Sequence, residues 1–143
     1  FGAYGEGWAH YTETLGPEFG LYTDPYQKMG YLSDQMLRAV RLVVDTEIHS
    51  GKMTREQAIQ YYLSNISDSE EGATAAIERY MAIPGQALGY KIGSLKILEL
   101  RAKYQKQLGN KFKLAKFHDE ILNQGCLPLS VLERKMELWA KKQ

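Results

Sequence analysis

A single cysteine, Cys126, excludes an internal disulfide framework, and a lone thiol in a helical context reads as a small buried hydrophobe. Excess charge of either sign is missing as well. The 18 Lys and Arg stand against 17 Asp and Glu, so the formal net charge of +1 points to no polyanionic partner. Basic residues gather only at the end (Arg134, Lys135, Lys141, Lys142), where a solvated last helical turn accounts for them. No nucleic-acid-reading motif accompanies them, so no nucleic acid is expected as a partner. No apolar run approaches the roughly 20 residues of a membrane-spanning helix, and no such segment is expected. Strand-like alternation, internal repeats and low-complexity tracts are also absent.

What remains is 143 residues, 44% of them hydrophobic, enough for one helical domain with its own core. The sequence opens with Phe1 inside what reads as a motif, so it is expected to be part of a longer polypeptide whose targeting signals are not legible here. Apolar residues recur with helical spacing nearly everywhere. A first helix is expected over residues 2–15, stopped by Gly16-Pro17. Asp24-Pro25 reads as an N-cap with proline at the first helical position of a long helix reaching about His49. Thr54 and Gln57 have capping-box spacing and start a helix running through Ile66. Further helices are expected over residues 70–82, from Gly85 to Leu108 with Gly109 as C-cap, over 114–124 closed by Gly125, and over 130–142. The fold class is all-α, a bundle of six to eight helices.

Three stretches carry the residue types of a functional site. In "GEGWAHYTETLG", residues 5–16, Glu6, His10 and Glu13 are spaced four and three apart and share one helical face. Either that face is simply solvated, or it presents metal ligands or an acid–base pair. Glycine costs about 1 kcal/mol in a helix interior, so Gly5 and Gly7 imply a neighbour at backbone distance. In "RAVRLVVDTEIH", residues 38–49, Arg38, Arg41, Asp45 and His49 form a polar stripe beside Leu37, Val40, Val44 and Ile48, while Met36, Leu42 and Val43 cover much of the rest. Charges on a helix that apolar must be paired or face a polar cavity, and Arg41 and Asp45 are the expected buried pair. In "ERYMAIPGQALGYKIG", residues 78–93, Pro84-Gly85 breaks the chain, and Gly85, Gly89 and Gly93 form a smooth stripe of the kind that usually serves close helix packing. Arg79, Tyr80, Gln86, Tyr90 and Lys91 surround the break, where a helix N-terminus can receive a carboxylate or oxyanion. His118 reads as a packed, satisfied histidine.

Taken together, "EGWAHYTE", "RAVRLVVDTEIHSGKMTREQAIQYY", "ERYMAIPGQALGYKIG" and "FHDEILNQGCLPLSVLE" resemble the C-terminal part of the bacterial domain-of-unknown-function family 885, across essentially the whole chain. That family is similar to zinc carboxypeptidases of the gluzincin kind. The resemblance implies a zinc-dependent metallopeptidase acting on peptide substrates through metal-activated water, with an HExxH-type motif in the N-terminal part of the same polypeptide. It implies that Glu6 is a zinc ligand and that Trp8 packs behind its helix. Glu13, Arg41, Asp45 and His49 would support the site from behind. Tyr80 and Tyr90 would act in catalysis, and Arg79, Gln86, Tyr90 and Lys91 would bind substrate. The three histidines, His10, His49 and His118, form no HExxH motif, so these 143 residues by themselves are expected to be inactive and to bind zinc poorly. The competing readings are a catalytically silent helical module that binds a peptide or protein, and a structural domain whose polar stripes are internal ion networks.

Overall fold

Capping chemistry sets where the longest helices begin. The computed structural model describes residues 1–143. Its α-helices run in the order α1 (Gly2–Glu13), α2 (Leu15–Glu18), α3 (Pro25–His49), α4 (Arg55–Asn65), α5 (Glu70–Ala82), α6 (Leu88–Leu108), α7 (Leu114–Leu122) and α8 (Leu129–Ala140), with a 3-10 turn at Gly109–Lys111. The fold is all-α. At the start of α3 the Asp24 carboxylate accepts the Tyr26 N–H at 2.6 Å, Gln27 reaches back to the Asp24 N–H, and Pro25 occupies the first turn. Thr54 and Gln57 exchange the same pair of bonds, at 3.2 and 2.8 Å, to start α4. Gly109 closes α6 with φ +53, a conformation that glycine adopts without a Cβ clash. None of the helices is long and apolar enough to cross a membrane.

Two expectations about local structure need correction. Gly16-Pro17 does not stop the first helix: α1 ends at Glu13, and Gly16 and Pro17 lie inside the one-turn helix α2. Proline is tolerated there because the N–H groups of a first turn have no intrahelical partner. Likewise α6 begins at Leu88 rather than Gly85, because the chain first completes a turn in which the Gln86 N–H bonds to the Ile83 carbonyl and the Leu88 N–H to that of Gly85.

The helices bury two separate cores. Tyr4, Tyr11, Ile97, Leu100, Phe117 and Met136 bring together α1, α6, α7 and α8. Val40, Val44, Ile59, Ile77 and Tyr80 join α3, α4 and α5. The first half of α3, residues 25–39, buries none of its side chains, so Met36 is exposed where a buried helix was expected. Cys126 is also exposed, in the loop between α7 and α8, because the Gly125 stop turns it out of the core.

Within the first core the backbones of α1 and α6 touch. A Cβ on Gly7 would lie 2.6 Å from the Gly93 carbonyl carbon, and one on Gly93 would lie 2.7 Å from the Gly7 Cα. A Cβ on Gly89 would lie 3.3 Å from the Ala3 backbone nitrogen, so Ala3 would have to give by a few tenths of an ångström. The glycine stripe is therefore a helix-packing device at Gly89 and Gly93, while Gly85 belongs to the preceding turn. Gly5 is different: the nearest atom to an added Cβ is Cys126 Sγ at 4.0 Å.

A polar network ties α2 and α7 to this pair. Arg101 on α6 makes a bidentate ion pair with Glu18 at 2.8 and 2.7 Å. Tyr11, fully buried, bonds His118 Nε2 at 2.7 Å, and Trp8 stands edge-on to the same imidazole at 5.2 Å. Burial, reinforced by the Arg101 charge, holds the His118 pKa below its ordinary value. His118 is thus packed and satisfied, as its sequence context indicated.

Two outcomes follow from this packing. Gly93→Ala drives a methyl into the α1 backbone and should cost more than the ~1–3 kcal/mol of ordinary overpacking, whereas Gly5→Ala has room and should gain up to about 1 kcal/mol of helix propensity. Thermal melts that rank the two variants alike would contradict the α1–α6 contact. The folded His118 resists a proton that the unfolded chain accepts, so its contribution is complete above about pH 6.5 and is lost as the pH falls below that value. His118→Gln keeps an acceptor for Tyr11 and should flatten the fall in melting temperature between about pH 7 and 5. An unchanged fall would remove His118 as its source.

Candidate functional site

Along α3, Gln35, Arg38, Arg41, Asp45 and His49 recur every three or four residues and share one face. That face meets α1, the start of α6 and the turn before it, and a polar seam runs through the contact. At its deep end Asp45, 2% exposed, accepts the Gly85 N–H on both carboxylate oxygens at 3.1 and 3.2 Å. Gly85 has φ +78, which the left-handed region permits for glycine and which the turn after Pro84 requires. His49 Nδ1 bonds the Asp45 carbonyl at 2.8 Å and its carboxylate at 3.0 Å. The carbonyl bond is the main reason that the His49 pKa is raised above its ordinary value.

Arg41 and Asp45 are both buried, as expected, but they are not a pair. Asp45 is already taken by Gly85 and His49, so Arg41 turns away and donates to Gln86 Oε1 at 3.3 Å. Its guanidinium stacks over the Tyr90 ring at 4.5 Å and the Tyr80 ring at 5.3 Å. Arg38 lies over the same Tyr90 ring at 5.2 Å and reaches only Asp34 at 3.5 Å. The Nε atoms of both arginines are buried without a partner. Burial is the main cause of a raised Tyr80 pKa, opposed by the Arg41 charge.

At the other end of the seam His10 is 1% exposed. Its Nδ1 lies 3.1 Å from Glu13 Oε2 and 3.4 Å from the Gln35 amide nitrogen, while its Nε2 has no partner. Lys91 donates to Gln35 Oε1 at 2.9 Å, which fixes the amide with its nitrogen towards His10. Burial is the largest influence on both groups: it lowers the His10 pKa, with Lys91 and Arg38 acting in the same direction against Glu13, and it lowers that of Lys91.

The seam therefore joins Glu13, Arg41, Asp45, His49, Tyr80, Gln86, Tyr90 and Lys91 from the sequence set. It leaves out Arg79, which is exposed on α5 without an ion pair. Glu6 lies one turn before His10, half-buried, and forms no ion pair. Two further contributors escaped the sequence reading: Gln35, whose spacing from Arg38 was the available signal, and Arg38 as a second cation on Tyr90. Free N–H groups at the Pro84-Gly85 break were expected to await an external anion, but the Gly85 N–H already holds the Asp45 carboxylate. No group of three or more His, Cys, Asp or Glu side chains is arranged to hold a metal ion. Grooves lie between α7 and α8, along α5, and between α3 and Ile66.

Residues 1–136 match the family described as bacterial protein of unknown function, DUF885. The chain is also similar to a crystal structure of a protein from Colwellia psychrerythraea described as a lipoprotein, with 49% identity and a TM-score of 0.97. That match covers 100% of this chain and 25% of the other, so the chain spans a quarter of the length of that relative. No curated protein matches it. A family match over nearly the whole length, with the same helical course in a relative sharing half of the residues, means that this chain belongs to the bacterial family DUF885.

Proposed function

We propose that the chain is the C-terminal part of a zinc-dependent peptidase of carboxypeptidase type, in which Glu6 contributes one metal ligand. The observation that carries this reading is Glu6 itself: a half-buried carboxylate with no cation paired to it, held on the rigid α1–α6 pair one turn from the His10–Glu13 bond. A catalytic zinc takes three protein ligands, and the residues of this chain alone do not fit such a centre. The other ligands and the general base must then come from outside these residues, and no step of hydrolysis is assigned to this chain. Its own contribution would be to position substrate. Arg41 and Lys91 form no ion pair, and two such cations would favour a peptide's terminal carboxylate near Tyr90 and Gln86. Tyr80, between Arg41 and the second core, would hold that wall in place.

One observation favours instead the structural domain whose polar stripes are internal networks, and counts against a binding module that uses the Gly85–Gly93 face. The helix start before α6 takes its anion from Asp45 within the chain, and the glycine stripe is consumed by packing against α1. A seam that satisfies its own deep end can be purely structural.

The readings separate in the complete protein. Under the peptidase reading Glu6→Gln should lower both zinc content and peptide hydrolysis while leaving the melting temperature nearly unchanged, because Glu6 forms no ion pair. Glu13→Ala should cost less, about 10–100-fold in activity, as expected for a group that orients another. Tyr90→Phe keeps the ring under both guanidiniums and should lower turnover without changing zinc content or melting. Full zinc occupancy and full turnover in Glu6→Gln would remove Glu6 from the metal, and undiminished turnover in Tyr90→Phe would leave the seam with a structural role only.

A further inference from the structure

The net charge of this chain hides a segregation. Residues 101–143 hold ten Lys and Arg against four Asp and Glu, whereas residues 1–100 hold eight against thirteen. The basic portion folds together at one end of the bundle, where α8 packs on α6 and on α7. Lys111 donates to the Gln143 carbonyl at 3.0 Å, which brings the 3-10 turn beside the chain's last residues.

At this end α7 and α8 enclose a groove of about 340 Å³. Val131, Leu138 and Trp139 supply its apolar surface, with Val131 and Leu138 47% and 52% exposed. Val131, Arg134 and Leu138 follow one another at steps of three and four, so aliphatic and cationic side chains share one face of α8, and Lys142 lies in the turn just after it. Lys135 is committed to the fold: it donates to the Glu120 carbonyl and to Asn123 at the C-terminal end of α7. Arg134 and Lys142 form no ion pair; of the acids, Glu120, which lines the groove, is paired with Lys135 at 3.8 Å, and the exposed Glu137 with Lys141 at 2.7 Å. The groove offers no platform for stacking bases, since Trp139 is only 8% exposed.

Exposed aliphatic side chains among unpaired cations are complementary to a surface with an apolar interior and an anionic boundary. We propose that the α7–α8 face docks on an anionic phospholipid bilayer, with Val131 and Leu138 entering the headgroup layer and Arg134 and Lys142 meeting lipid phosphates. No segment needs to cross the bilayer, and the inference is independent of the peptidase reading.

Co-sedimentation of the complete protein with vesicles of phosphatidylcholine doped with phosphatidylglycerol, and with pure phosphatidylcholine vesicles, tests this. Binding should favour the anionic vesicles and fall steeply as salt rises towards about 0.5 M. Each surface cation is worth roughly fivefold in partitioning, so Arg134→Ala with Lys142→Ala should weaken binding on the order of 20-fold. Leu138→Ser should weaken it severalfold without changing the salt dependence, and unaltered melting of both variants shows that the fold is kept. Equal binding to neutral vesicles, no binding to anionic ones, or full binding by the double variant would overturn the proposal.

Discussion

Everything in this structure depends on the approach of α1 to α6 at Gly7 and Gly93. The two helices meet at backbone distance, with no room between them for a Cβ at either glycine. That contact fixes α1 against the middle of α6 and so sets where Glu6, His10 and Glu13 stand relative to Tyr90 and Lys91. Both helices belong to the aromatic core they share with α7 and α8, and the smaller core of α3, α4 and α5 is separate from it. A chain with two modest cores and one close helix pair concentrates its rigidity where that pair lies. The polar seam borders it.

Electrostatics within the seam follows from competition for one carboxylate. Asp45 stands one turn from Arg41, within easy reach, yet the Gly85 N–H and the His49 ring occupy its oxygens. A backbone N–H at a buried turn has no other acceptor, and leaving it unsatisfied costs about as much as a lost hydrogen bond. Arg41 has an alternative in two tyrosine faces and Gln86, and it takes it. The result is a cation held among aromatic rings rather than neutralised, with Arg38 beside it. The pKa shifts agree with this arrangement: burial, aided by neighbouring cations, lowers that of His10 against the pull of Glu13, while that of His49, bonded to the Asp45 carbonyl and carboxylate, is raised.

Much of the site was legible because helical spacing is rigid. Arg38, Arg41, Asp45 and His49 had to share a face once α3 was recognised, and Tyr80, Gln86, Tyr90 and Lys91 had to cluster around the break at Pro84. The partners within those sets were not legible. Spacing says which side chains are neighbours on one helix and is silent about the neighbour on the next, which is why Arg41 was matched to Asp45 and Gln35 was passed over. Arg79 was drawn in by its nearness to Tyr80 in sequence, but consecutive residues point to different sides of α5 and only Tyr80 faces inward.

The sequence by itself determined the all-α class, the capped starts of α3 and α4, the glycine stop of α6 and the family, because these rest on local backbone chemistry and on motifs that span the chain. Tertiary structure alone decided that Gly7 and Gly93 serve one another while Gly5 meets open space, that Cys126 is exposed, and that Asp45 holds a backbone N–H instead of an arginine. Each of those outcomes compares the free energies of rival contacts between segments far apart in the chain. Such a comparison has no local signature, since it is settled only when the helices are brought together and every buried polar group must find its partner.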